Sequence, residues 1–131
     1  MPSYLICIGS NYNREGNLLL ARNQLTALFP SIRFAEEVET EPFLLSNPAL
    51  FTNQLARFHS DKGPEQVKVH LKDIECLAGR LPGDKAKEKV ILDIDLLMCD
   101  DLVLKPQDME REYIKQSLEV LDDIEQWKKT I

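Results

Sequence analysis

Residues 90–99 read VILDIDLLMC, an apolar run that carries two aspartates, Asp93 and Asp95, two positions apart. Side chains on an extended chain alternate between the two faces of a sheet. The alternation predicts a strand with Val90, Leu92, Ile94, Leu96 and Met98 on one face and Ile91, Asp93, Asp95 and Leu97 on the other. Both carboxylates then share a face, with Cα atoms roughly 7 Å apart. Like charges held that close are stable only where water or a counter-charge reaches them. The pair is either a solvated strand face or part of the ligand set of a hard divalent cation such as magnesium.

Outward from this strand, YLICIG (4–9) is a short run of strand formers that ends in the turn cluster Gly9-Ser10-Asn11. From Asn13 to Phe29, Leu18, Ala21, Leu25 and Leu28 recur at helical spacing until Pro30 stops the pattern. IRFAEEVET (32–40) reads as a second strand, bulged or at an edge because of its acidic pair, and EPFLLSNPAL (41–50), with Pro42 and Pro48, as a loop. LFTNQLARFHS (50–60) fits a third strand with Phe51, Asn53 and Leu55 on one face, although it also admits a helix.

DKGPEQVKVHLKDIECLAGR (61–80) is a helix opened by Gly63-Pro64 and closed by Gly79, with Val67, Leu71, Ile74 and Leu77 or Ala78 inward. After the VILDIDLLMC strand, CDDLVLKP (99–106) makes a turn and a short returning strand. Asp108 then caps a last helix with Met109, Tyr113, Leu118, Leu121, Ile124 and Trp127 inward. The order β-α-β-β-α-β, with an added hairpin strand and C-terminal helix, predicts an α+β fold. Its expected form is a ferredoxin-like sandwich with an antiparallel sheet, one domain over residues 1–131.

The formal net charge of −6 and pI near 4.9 argue against a general nucleic-acid binder or an anionic-membrane binder, both of which need a basic face. Cys7, Cys76 and Cys99 lie far apart, and His59 and His70 lack zinc-site spacing, so reduced cysteines and a cytoplasmic setting are expected. No segment approaches the ~20 apolar residues of a membrane span, and the N-terminus lacks a secretory signal pattern. Oligomeric state leaves no trace in the sequence.

Against the acidic background, GRLPGDKAKEK (79–89) places Arg80, Lys85, Lys87 and Lys89 just ahead of the aspartates. Such a loop is either an ordinary charged surface or a clamp for polyphosphate. Glu75, about one helical turn before Arg80, either orders that arginine or faces solvent. Phe51 and Tyr113 are core residues or two walls of a slot for a flat ring, whose amide edge Asn53 can read through paired donor and acceptor. No P-loop is present.

Taken in order, CIGSN with GN close behind, ETEPF, LFTNQL, IECLAGR, VILDIDLL and DMEREYIKQSL resemble the 6-hydroxymethyl-7,8-dihydropterin pyrophosphokinase family of folate synthesis, over about residues 4–118. The most specific element is I-E-x-x-x-G-R followed by L-D-x-D-x-L. The resemblance implies transfer of pyrophosphate from ATP to the hydroxymethyl oxygen of the pterin, giving the pterin diphosphate and AMP. It implies two magnesium ions on Asp93 and Asp95, a pterin pocket at Thr40, Phe43, Phe51, Asn53 and Tyr113, and a nucleotide side at Glu75 and Arg80. Arg111 matches a phosphate-side arginine, which completes an implied catalytic set of Asp93, Asp95, Arg80 and Arg111.

The chain also departs from the family pattern. Val90 stands where the family carries an arginine, the loop tryptophan and its Gly-Pro are missing, and PQDM (106–109) lacks the family's histidine. Lys87 and Lys89, with Lys85, are the candidate substitutes on the nucleotide side, as point charges without arginine's bidentate fork. The expectation is a short, divergent member. Its alternative is a non-catalytic descendant that binds a pterin or a partner protein.

Overall fold

Tyr4-Leu5-Ile6-Cys7-Ile8 is apolar at every position, a pattern that suits a strand covered on both faces. The computed structural model, which describes residues 1–41, 50–84 and 89–130 with side chains through 122, places that strand in the middle of the sheet. Strand β1 (Ser3–Ser10) is followed by helix α1 (Arg14–Leu28), then β2 (Arg33–Phe34), β3 (Val38–Thr40) and β4 (Phe51–His59). Helix α2 (Pro64–Leu77), β5 (Asp93–Cys99), β6 (Leu102–Val103), α3 (Pro106–Met109) and α4 (Glu112–Thr130) complete the order. The sheet is open, six-stranded and antiparallel in every pairing, ordered β2-β4-β1-β5-β6, with β3 beside β2 on β4. The protein is thus α+β, and among the described residues no helix is long and apolar enough to cross a membrane.

The alternation of β1 divides the core. Tyr4, Ile6 and Ile8 face α1 and α2, where they pack with Leu18, Ala21, Leu25, Val67 and Leu71. Leu5 and Cys7 face the opposite way and pack with Leu55, Leu97, Ile114 and Leu121 under α4. That cover extends over only part of the second face. Towards Gly9, Asn53 and Asp93 the same face opens into a cavity.

Three expectations about the strands change. The second strand is two, because Ala35 to Glu37 interrupt it. The edge stays attached through Ala35, whose N–H donates to Leu55 (2.8 Å) and whose carbonyl accepts from Gln54 (2.8 Å). The strand expected from Val90 begins at Asp93, since Val90 and Ile91 bond instead to the turn after β1, and Ile91 joins the core under α1 and α2. A register shift between Leu5 and Ile6 leaves one extra residue on β5, so Leu97 and Met98 both pack on the α4 face and Met98 leaves its expected side.

Asp108 does not cap the last helix. Pro106 starts the short helix α3 one turn earlier, the chain breaks at Glu110 and Arg111, and α4 starts at Glu112. The inward face of α4 includes Ile114, which the sequence pattern missed, and Leu121, with Tyr113 and Leu118 partly buried. The side chains of Ile124 and Trp127 lie outside the described residues.

Phe58 is fully buried between Phe29 (ring centroids 4.0 Å apart) and Tyr4 (5.3 Å). Phe58→Ala should cost about 3–5 kcal/mol in urea unfolding, the usual range for emptying a buried aromatic site. A loss below ~1 kcal/mol would show that this stack does not anchor the helix face of the sheet.

Candidate active site

The register of β1 sets the cavity floor. Gly9 lies opposite Asp93 on one side and Asn53 on the other, and Cys7 lies opposite Asp95 and Leu55. Side chains at these positions point to one face, so the two aspartates stand in a row beside Asn53. A Cβ at position 9 would lie 3.1 Å from Asn53 Oδ1, so glycine is what leaves room for that amide. Asn53 donates to Thr40 Oγ1 (2.7 Å), and Thr40 pairs with Phe51 across β3 and β4. The cavity encloses about 540 Å³.

Asp93 is held from behind. Arg80 Nη1 reaches Asp93 Oδ1 (3.0 Å), Glu75 Oε1 (3.0 Å) and the Leu92 carbonyl (3.3 Å). Glu75 is buried on α2 and accepts the Ile94 N–H through Oε2 (2.8 Å). That N–H lies on the outer side of β5, where β6 pairs only with Met98 and Cys99, so Glu75 satisfies a donor the sheet leaves open.

Burial raises the Glu75 pKa above the usual carboxylate range, countered in part by the Ile94 N–H and by Arg80. For Arg80, burial opposes the charge, but Glu75 and Asp93 outweigh it and the pKa rises. Asp95 is pushed up to about 7, first by burial and then by the charge of Asp93 and a hydrogen bond with it. The crowding expected from the sequence is therefore present, and it falls on Asp95.

Ser10 and Asn11 fix the segment that leads into β5. Asn11 accepts the Val90 N–H at Oδ1 (2.6 Å) and donates its own N–H to the Val90 carbonyl (2.9 Å), while Ser10 Oγ donates to the Ile91 carbonyl (2.6 Å). The turn cluster that looked ordinary in sequence thus sets where the aspartate strand begins.

On the far wall, Tyr113 lies under the Arg111 guanidinium (5.0 Å to the ring centroid) with its hydroxyl 4.0 Å from Cys7 Sγ. Burial pushes the Cys7 thiol up to about 12 and the Tyr113 hydroxyl upward as well.

Of the residues singled out by sequence, Thr40, Phe51, Asn53 and Tyr113 line this one cavity. So do Arg80, Lys89, Asp93, Asp95 and Arg111. Glu75 stands behind Arg80, not on the lining, and it does not face solvent. Phe43, Lys85 and Lys87 lie outside the described residues. Sequence reasoning missed Cys7, Gly9, Glu41 and Ile114 as lining residues, and took Asp108 for a helix cap. Gly9 and Cys7 join the cavity only through register with β5, which no local pattern announces.

Among the described residues no three or more His, Cys, Asp or Glu side chains group as a metal site. A cation here would hold Asp93 and Asp95 and take its other ligands from water or substrate, the habit of magnesium. The carboxylates already repel one another in a half-buried setting, so the donor set fits such an ion.

An antiparallel α+β domain with paired carboxylates, guanidinium groups and aromatic walls around one cavity belongs to the small-molecule-binding class of such folds. The chain is a member of the 7,8-dihydro-6-hydroxymethylpterin-pyrophosphokinase (HPPK) family, whose model matches residues 5–123. Membership implies pyrophosphate transfer from ATP to hydroxymethyldihydropterin in folate synthesis. No curated protein matches the chain.

A carboxyl whose folded pKa is raised contributes stability below its unfolded value, near ~4, and loses it as pH climbs through about 7. Asparagine at this position does not titrate. In metal-free buffer Asp95→Asn should therefore gain a few degrees of Tm over the parent between pH 5 and pH 8, and magnesium should shrink the difference by stabilising only the parent. A Tm difference that is flat across that range would show that Asp95 is not crowded.

Proposed function

We propose that this protein is a magnesium-dependent enzyme that transfers pyrophosphate from ATP to 6-hydroxymethyl-7,8-dihydropterin, yielding the pterin diphosphate and AMP. The observation that carries this is the meeting, in one cavity, of the Asp93–Asp95 pair, the Arg80 and Arg111 guanidinium groups, and the Thr40, Phe51, Asn53 and Tyr113 cluster. The strand order, with β2 and β3 taken as one interrupted strand, supports a ferredoxin-like arrangement, and the domain is proposed to span residues 1–131.

Phe51 and Tyr113 are proposed to wall the slot for the flat pterin ring. Asn53, its amide oriented by Thr40, offers a donor and an acceptor to the ring edge. Asp93 and Asp95 would hold magnesium, two ions on the family's pattern. Magnesium when bound offsets the charge that builds on the transferred pyrophosphoryl group. Arg80, fixed by Glu75, keeps Asp93 in place and presents a cation to the nucleotide side. Arg111 presents a second cation beside the ring slot, and Lys89 a third on the Val90 side. The lysines at 85 and 87 belong to the same nucleotide-side proposal.

The second reading is a descendant that keeps the pterin slot without phosphate chemistry. Its support is Val90, an apolar side chain on the cavity lining where the family pattern carries an arginine.

The deciding measurement is AMP release from magnesium-ATP with and without 6-hydroxymethyl-7,8-dihydropterin. Pterin-dependent AMP from the parent, abolished in Asp95→Asn with the fold intact by circular dichroism, is the expected result. Full activity in that variant would remove the aspartates from the metal site, and intact pterin binding without AMP would establish the second reading.

If Phe51 and Tyr113 form the slot, Phe51→Ala and Tyr113→Ala should each weaken pterin binding by about 1–3 kcal/mol in calorimetry. Unchanged affinity in both would return the two rings to a purely structural role.

A further inference from the structure

Tyr12 is an exposed aromatic side chain, 53% accessible, on a backbone that is tightly fixed. Its carbonyl accepts from Asn17 Nδ2 (2.7 Å) and from Ser10 Oγ (3.0 Å). A large exposed ring contributes little to the core, so its rigid mounting calls for another explanation. Across from it stands Lys89, whose Nζ lies 4.2 Å from the centre of the Tyr12 ring.

The backbone that carries the lysine is fixed as well. Its N–H donates to the Asp84 carbonyl (3.0 Å), and the next residue, Val90, is bonded twice to Asn11. The two segments are therefore clipped together, and the ring and the ammonium are carried side by side, with Lys89 on the cavity lining.

The cations of the cavity differ in how their charge is engaged. Arg80 is committed to Glu75 and Asp93. Among the described residues no carboxylate lies within ion-pair distance of Lys89, and the contact it makes is with an aromatic face. A ring face orients an ammonium without neutralising it, so the full charge stays available to an anion. A lysine alone would spread that charge over many rotamers of a four-carbon stem.

We propose that Tyr12 is a positioning residue that holds the Lys89 ammonium at the cavity for the phosphates of ATP. This rests on the nucleotide-binding reading given above. It adds a residue outside the cavity lining that acts on the nucleotide through Lys89.

The test is a double-mutant cycle on the full chain with Tyr12→Ala, Lys89→Met and the pair. It reads calorimetric affinity for a nonhydrolysable magnesium-ATP analogue, together with KM for ATP and for pterin. Tyr12→Ala should weaken analogue binding and raise the KM for ATP by about two- to fivefold, the range of an exposed cation–π contact. Lys89→Met should weaken it more, the double variant should be no worse than Lys89→Met alone, and pterin KM should stay put. Tyr12→Phe keeps the ring face and should restore parental affinity, which a loss of folding would not permit.

Additive losses in the cycle, parental ATP affinity in Tyr12→Ala, or failure of Tyr12→Phe to rescue would each overturn the proposal. Parental analogue binding without AMP production would defeat the catalytic reading alone, since the calorimetric cycle still decides the role of Tyr12. No analogue binding by the parent would overturn both.

Discussion

Everything at the candidate site depends on the register in which β1 lies between β4 and β5. Gly9 opposite Asp93 and Asn53, and Cys7 opposite Asp95, put the carboxylates and the amide on one face. Because side chains alternate with a period of two, a slip of one residue would send Asp93 and Asp95 under α1 and α2 and bring Ile94 out. The apolar set Tyr4, Ile6 and Ile8 opposes that slip, since each is fully buried in the helix-side core. Hydrophobic burial on one face thus holds the polar arrangement on the other. The extra residue at Leu97 confines the irregularity to the α4 end, away from the aspartates.

A second constraint is the buried carboxylate of Glu75. Removing such a charge from water is costly, and one ion-pair partner seldom compensates for it. Here the compensation is spread over the Arg80 guanidinium and a backbone donor on β5 that the sheet leaves unpaired. Helix α2, the loop after it and the aspartate strand are thereby joined at one point. The network resembles a spacer more than a source of stability, because it fixes how far Arg80 stands from Asp93.

Much of this was legible in the sequence because it follows from periodicity. The continuous apolar run of YLICIG reports a strand covered on both faces, and the three-and-four spacing in the first two helices reports the faces that are buried. What escaped has physical causes. The bulge at Leu97 breaks the period of two without a glycine or proline to mark it. The Gly9-Ser10-Asn11 turn acts through partners 79 to 81 residues away, beyond any local window. Asp108 carries the composition of a helix cap, yet Pro106 starts a turn before it and turns the carboxylate to the cavity. Phe51, Asn53 and Tyr113 could be read from the residues only as core or ring slot, since composition cannot separate the two, and Thr40 came from the family resemblance alone.

The acidity of the chain and a phosphate-rich ligand are reconciled locally. The cavity lining carries Glu41, Asp93, Asp95 and Asp108 against Arg80, Lys89 and Arg111, so its own side chains do not present an excess of positive charge. A triphosphate entering alone would meet repulsion from the aspartates, and a divalent ion entering alone would find, among the described residues, no group of three or more carboxylates to hold it. Brought together, each supplies what the other lacks, phosphate oxygens for the ion and positive charge for the phosphates. On the proposed reading, this makes the cavity selective for the metal–nucleotide complex over either component, and it explains how a protein of net charge −6 can take such a ligand without an overall positive charge.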